Sequence, residues 1–254
     1  MRENETKKAG SPVSSGTERT VPHVPGGTER TVPDVPLKYR CLVLDHDDTT
    51  VDSTATVHYP CFVEYMEKYY PHIHLTLEEY FNYNFDPGVV DLFTKICGMT
   101  WEQMLDEEVY WKEYVKHHTP RAYPGIREIM EEQRRRGGKI CVVSHSFREN
   151  ILRDYAENGL PEPDLIYGWE CPPEQRKPAV WPLEQIMKTT GYRPEDLLVV
   201  DDLKPGYDMA KAAGVPFAAA GWANDIEKIE RFMRENCGLY FKTVRELYGY
   251  LFGG

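Results

Sequence analysis

The chain has no long apolar run. Although 41% of its 254 residues are apolar, no stretch approaches the ~20 apolar residues that a membrane-spanning helix needs. It also lacks a surplus of positive charge. Acidic residues outnumber basic ones 41 to 30, for a formal charge of -11, and no basic stripe marks a nucleic-acid surface. The densest basic cluster, Arg134, Arg135 and Arg136 with Lys139, closes a helical pattern, where cations are favoured. The six cysteines, Cys41, Cys61, Cys97, Cys141, Cys171 and Cys237, show neither CxxC pairing nor metal spacing. They read as small core residues of a protein kept in a reducing, cytoplasmic compartment. Membrane and nucleic acid are therefore not expected as partners, and oligomeric state is left open.

Residues 1–36 differ from everything after them. "GTERTVPHVP" at Gly16–Pro25 returns almost unchanged as "GTERTVPDVP" at Gly27–Pro36. The segment is rich in Pro, Gly, Ser and Thr, has no apolar periodicity, and lacks the apolar core of a signal peptide. It reads as a disordered tail.

From Lys38 onward, apolar runs alternate with helical patterns. Strands are expected at "CLVLD" (41–45), "KICVVS" (139–144), "DLIYG" (164–168), "DLLVVD" (196–201) and "PFAAAG" (216–221). Helices are expected at 124–138, with Pro at its start and Gly past its end, at 147–159, at Pro182–Thr190 and at Pro205–Ala213. Continuous apolar strands alternating with helices imply an α/β fold, a doubly wound parallel sheet covered on both faces. Residues 54–118 break the rhythm because they contain no convincing strand. "VHYPCFVEYMEKYY" is amphipathic, and "TLEE" (76–79) and "TWEQ" (100–103) are capping boxes that open two further helices. The expected organisation is a core of residues 37–53 and 119–254, with a helical cap of 54–118.

Three carboxylates within four residues, Asp45, Asp47 and Asp48, end the first strand. Like charges this close resist burial unless something nearby offsets them. In an open parallel sheet, ligands bind beyond the carboxyl ends of the strands. There the fold would gather Asp45, Ser144, Asp201 and Asp202, with Lys177 reaching in from "EQRKPAV". Asp45, Asp47 and Asp202 offer hard oxygens suited to Mg²⁺. A phosphate oxygen would complete such a site, held by Lys177, the Ser144 hydroxyl and loop N–H groups. One carboxylate could then attack phosphorus, and a second could move the proton.

The motifs "DHDDT" (45–49), "VVSHS" (142–146), Lys177 in "KP" and "VVDDLKPGYDMAKAAG" (199–214) resemble the haloacid dehalogenase superfamily of phosphatases and related phosphotransferases. "YPGI" (123–126) is similar to that superfamily's usual passage from cap to core. The resemblance covers residues 38–252. It implies a Rossmann-like core and a helical cap of the kind found in phosphoglycolate phosphatase and beta-phosphoglucomutase relatives. It makes Asp45 the nucleophile and Asp47 the general acid/base. Thr49, Ser144, His145 and Lys177 would bind substrate phosphate. Mg²⁺ would be held by Asp45, Asp202 and the backbone carbonyl of Asp47. Asp48 stands where many relatives have Gly, and Asp tolerates the left-handed turn better than most residues. Asp201 could share metal ligation.

The implied activity is Mg²⁺-dependent hydrolysis of a small phosphorylated metabolite through an aspartyl phosphate. A sugar-phosphate mutase keeps the same two carboxylates, and a non-catalytic binding module on this fold is a further alternative. His46 should face away from the site, because side chains alternate along the strand end.

Overall fold

In the computed structural model, which describes residues 36–253, the first apolar run forms strand β1 (Cys41–Leu44). The expected tail, residues 1–36, falls outside the described residues except for Pro36. After β1 come β2 (Val51–Asp52), α1 (Tyr59–Tyr69), α2 (Leu77–Phe85), α3 (Val89–Asp91) and α4 (Trp101–Val115). Next are β3 (Arg121–Ala122), α5 (Ile126–Arg135), β4 (Lys139–Val143), α6 (Arg148–Glu157) and β5 (Leu165–Tyr167). The chain continues through α7 (Trp181–Thr190), β6 (Leu197–Asp201), α8 (Lys204–Ala213) and β7 (Phe217–Ala220). It closes with α9 (Glu227–Asn236), β8 (Leu239–Phe241) and α10 (Val244–Phe252).

Six strands pair in parallel in the order β5-β4-β1-β6-β7-β8. The alternation of β1 divides the core. Leu42 and Leu44 pack with Ile126, Ile129, Ile151 and Leu247 on one face. Cys41 and Val43 pack with Leu183, Ile186 and Met209 on the other. Each such aliphatic side chain, fully buried, contributes ~1.5–3 kcal/mol relative to leaving it in water. The order puts β1 and β6 at the centre, where strands enter from both directions and the crevice for a ligand opens.

Between β1 and β4 the chain leaves the sheet. Among the described residues, 54–115 contain no strand. Thr76 and Thr100 each accept from the backbone N–H three residues on, and Glu79 and Gln103 return the bond, so both expected capping boxes form. The helices share a separate apolar cluster of Phe62, Tyr65, Met66, Tyr80, Leu92, Phe93, Met99 and Met104. Phe81 and Phe85 of α2 also pack against Tyr207, Ile229 and Met233, which ties this helical segment to the sheet's flank. None of the described helices is long and apolar enough to cross a membrane.

Candidate active site

Parallel register decides what meets at the sheet edge. Leu44 of β1 pairs with Val142 and Val200, so Asp45 and Asp201, each the next residue, emerge side by side. Lys177 bridges them. Its Nζ donates to Asp45 Oδ1 and to Asp201 Oδ2, each at 2.7 Å, and all three side chains are buried. Oxygens of Asp45, Asp201 and Asp202 lie within 4.8 Å of one another.

Three buried carboxylates against one ammonium leave a surplus of negative charge. Burial, with Asp201 and Asp47 adding to it and Lys177 opposing, pushes Asp45 up to about 7. Burial and the neighbouring Asp48 and Asp201 raise Asp202 well above the ordinary carboxylate range. Among the described residues, Asp202 Oδ2 is buried without a hydrogen-bond partner. A buried carboxylate oxygen without a donor, facing two other acids, suits a hard divalent cation, which would satisfy the orphan oxygen and offset the repulsion. The donor set therefore fits a metal.

Asp47 belongs to a different network. Ser53 Oγ donates to its Oδ1 at 2.8 Å, with His58 Nε2 also 2.8 Å away. Ser146 Oγ donates to Oδ2 at 2.6 Å, and Ser144 Oγ lies 3.5 Å from the same oxygen. Burial opposes ionisation, but His58 and these donors outweigh it and hold Asp47 below the usual carboxylate range. Trp111 Nε1 donates to His58 Nδ1 at 2.9 Å. An indole N–H can only donate, so the imidazole keeps its proton on Nε2, facing Asp47.

The loop that separates these acids is tightly wound. His46 O accepts the N–H groups of Thr50 and Val51, and Asp48 takes φ 57°. The Asp48 carboxylate then turns back to accept the N–H groups of Ser53 and Thr54. Thr49 is fully buried, and its hydroxyl donates to Asp202 Oδ1 at 3.3 Å. His46 faces away, 3.0 Å from Asp154 of α6. His145 donates Nε2–H to Lys177 O at 3.1 Å, and burial together with the Lys177 charge lowers it to about 4, so it is neutral. Ser144 Oγ accepts from the Ser146 N–H at 3.0 Å.

The fold thus gathers Asp45, Asp202 and Lys177 in one cluster and Asp47 with Ser144 in an adjoining one, while Thr49 is spent on Asp202. Three partners of Asp47, Ser53, Ser146 and His58, were not foreseen. Ser146 lies within the quoted "VVSHS", where the strand-end position of Ser144 took precedence. His58 carried no sequence signal, because it faces Asp47 only through the π-helical turn Thr54–His58 that precedes α1. Such turns insert one extra residue and shift the helical register.

Beside Asp47 opens a cavity of about 140 Å³, walled by the helical segment and the loop after β4. Asp47, His58, Tyr80, Phe93, Glu107, Trp111, His145, Ser146 and Trp169 all reach it, whereas Asp45 and Lys177 do not.

Residues 42–220 match the haloacid dehalogenase-like hydrolase family. The pyrophosphatase PpaX of Halalkalibacterium halodurans is 29% identical over 140 residues, which are 54% of this chain and 64% of that protein's length. A haloacid dehalogenase-like hydrolase of Bacteroides fragilis superposes with a TM-score of 0.70 at 20% identity, covering 83% of this chain and 100% of the other. CbbY of Rhodobacter sphaeroides, in complex with xylulose 1,5-bisphosphate, gives a TM-score of 0.64 at 16% identity, covering 82% and 96%.

Proposed function

The chain belongs to the haloacid dehalogenase-like hydrolases, and on that premise we propose that it hydrolyses a small phosphomonoester, with Mg²⁺, through a phosphorylated Asp45. One observation carries this reading. Two carboxylates two residues apart sit in opposite environments, Asp45 with an ammonium and two further acids, Asp47 with three hydroxyls and an imidazole. Pairs of acids with separated surroundings divide nucleophilic from acid–base work. The xylulose 1,5-bisphosphate bound to CbbY and the pyrophosphatase activity named for PpaX support a small phosphorylated substrate.

In this reading Asp45 attacks phosphorus and the ester oxygen leaves with its electron pair. Lys177 positions the Asp45 carboxylate and meets the negative charge on the phosphoryl oxygens, which the Ser144 hydroxyl and the N–H groups after β4 also face. Asp47 delivers a proton to the leaving oxygen. It then takes a proton from the water that hydrolyses the acyl phosphate, returning Asp45 and releasing phosphate. His58, Ser53 and Ser146 set the direction of Asp47. Because these donors favour its ionised form, Asp47 is disposed first as a base, and its acid role needs a proton taken up with substrate. Asp45, Asp202 and the Asp47 carbonyl would hold Mg²⁺, with Asp201 as a further candidate; when bound it supplies charge neutralisation around the transferred group. Residues 54–118 serve as the cap that closes over the leaving group.

The test separates the two acids. Asp45→Asn should abolish both phosphorylation and turnover. Asp47→Asn should lower turnover by roughly 10²–10⁴-fold. It should still form a phosphoenzyme from p-nitrophenyl phosphate, whose leaving group needs little protonation. Intact-mass measurement after rapid quench should show one phosphoryl adduct on Asp47→Asn and none on Asp45→Asn. The reverse pattern would exchange their roles.

A further inference from the structure

Beyond the reacting groups, the cavity beside Asp47 has a chemistry of its own. It touches Asp47, the group that serves the leaving oxygen, so its contents lie on the leaving-group side. Its walls include the rings of Tyr80, Phe93, Trp111, Phe147 and Trp169, and among the described residues no Lys or Arg lines it. Two cations beside its walls are committed elsewhere. Lys112 pairs with Glu108 at 2.8 Å and stands over the Phe147 ring, and Arg176 covers the Trp169 ring and donates to Cys171 O. Glu108 is satisfied by Lys112 and by the Trp169 Nε1–H at 2.9 Å.

Glu107 is the exception. It lines the same cavity at 7% exposure and, among the described residues, takes part in no hydrogen bond or ion pair. A buried acid without a donor is costly unless a ligand brings one. Aromatic faces beside a carboxylate are the surroundings that favour an organic cation. A second phosphate or a carboxylate on the leaving group would instead meet Glu107, Glu108 and Asp47, and the one basic ring facing them, His58, is already bonded to Asp47 and Trp111. At about 10–15 Å³ for each water, 140 Å³ holds roughly ten waters' worth of atoms, which limits the guest to a small molecule.

Resting on the phosphomonoesterase reading, we propose that the substrate is an aminoalkyl phosphate, whose ammonium group is received by Glu107 between the aromatic walls of this cavity. The products are then an amino alcohol and inorganic phosphate. Glu107 is a specificity residue that takes no part in the proton transfers.

The experiment compares 2-aminoethyl phosphate with propyl phosphate, which replaces the ammonium by a methyl group of similar size. A charge-assisted contact in a buried site should favour the ammonium ester roughly 10–100-fold in kcat/KM. In Glu107→Gln, shown to be folded by its melting profile, that ratio should collapse toward one, and Glu107→Asp should restore part of it. Equal kcat/KM for the two esters in the parent enzyme, alongside turnover of p-nitrophenyl phosphate, would overturn the ammonium proposal and leave the phosphatase reading standing. If no ester is turned over, the phosphatase reading fails instead. Calorimetric binding of the same two esters still decides the cavity's preference: tighter binding of the ammonium ester supports the proposal, and equal binding overturns it.

Discussion

Glu107 is a buried acid with little to offset its burial. Burial, with Glu108 adding and His58 opposing, lifts it to about 8, whereas an unfolded chain's Glu titrates near 4.3. Between those values the ligand-free folded state holds the extra proton, which Glu107 gives up when an ammonium group binds beside it. The stability linked to Glu107 is therefore complete below the unfolded value and is lost as pH rises toward the folded one. Glu107→Gln removes that titration. Its melting midpoint relative to the parent should climb steadily from pH 5 to pH 8, the stability gap widening by at most about 1.4 kcal/mol per pH unit. A gap independent of pH would mean that Glu107 is ionised throughout. The site residues differ in how far local sequence could reveal them. Asp45, Asp202 and Lys177 stand at strand ends or in a motif loop, where position alone points at the ligand edge. His58 and Glu107 are helical residues whose directions depend on a π-helical turn and on how α4 packs.

Helix α8 approaches the sheet so closely that its first turn has no space for a side chain at Gly206. A methyl there would fall within 2.8 Å of Asp201 Cβ and closer still to the carboxylate that holds Lys177. Ala is favoured over Gly in a helix by about 1 kcal/mol, so propensity and packing oppose each other at this position. Packing should win for function. Gly206→Ala should stay helical by circular dichroism yet lose at least about tenfold in kcat/KM on p-nitrophenyl phosphate, because Asp201 and Lys177 must move. An unchanged rate would show that α8 can slide without disturbing the site. The helices and strands of the core, by contrast, follow the apolar pattern within a residue or two at most ends. The elements after Gly221, α9, β8 and α10, were not read beforehand. Strand β8 has three residues, all partly exposed, too short for a periodicity to stand out.

For the molecule as a whole, surplus negative charge at the centre of the sheet links the metal to stability. A cation that binds only the folded state stabilises it by about 2.7 kcal/mol at a hundredfold excess over Kd. For a domain of this size each kcal/mol is worth roughly 2–4 °C. Mg²⁺ should therefore raise the melting midpoint by about 5–10 °C, and EDTA should reverse the shift and abolish phosphatase activity. Asp202→Asn should melt higher than the metal-free parent, since it removes one of three crowded charges, and should respond little to Mg²⁺. Full activity in EDTA would remove the metal from the assignment.

Sequence alone determined the parallel α/β core, the helical segment between the first and second core strands, and the carboxylates at the strand ends. These features rest on short-range rules: apolar periodicity, capping boxes, and the geometry that places strand ends at a ligand edge. The tertiary structure decided which acid meets which partner. Asp45 and Asp201 share Lys177 because parallel register sets their strand ends level, and no local pattern encodes the pairing of strands so far apart in the chain. Asp47 is drawn into a separate network by Ser53, His58 and Ser146, which come from the turn after β2 and the loop after β4. The aromatic cavity, with Glu107 unpaired among the described residues, exists only once the helical segment folds over that network. A preference for substrate is a property of surfaces brought together across the fold, and for that reason it could not be read along the chain.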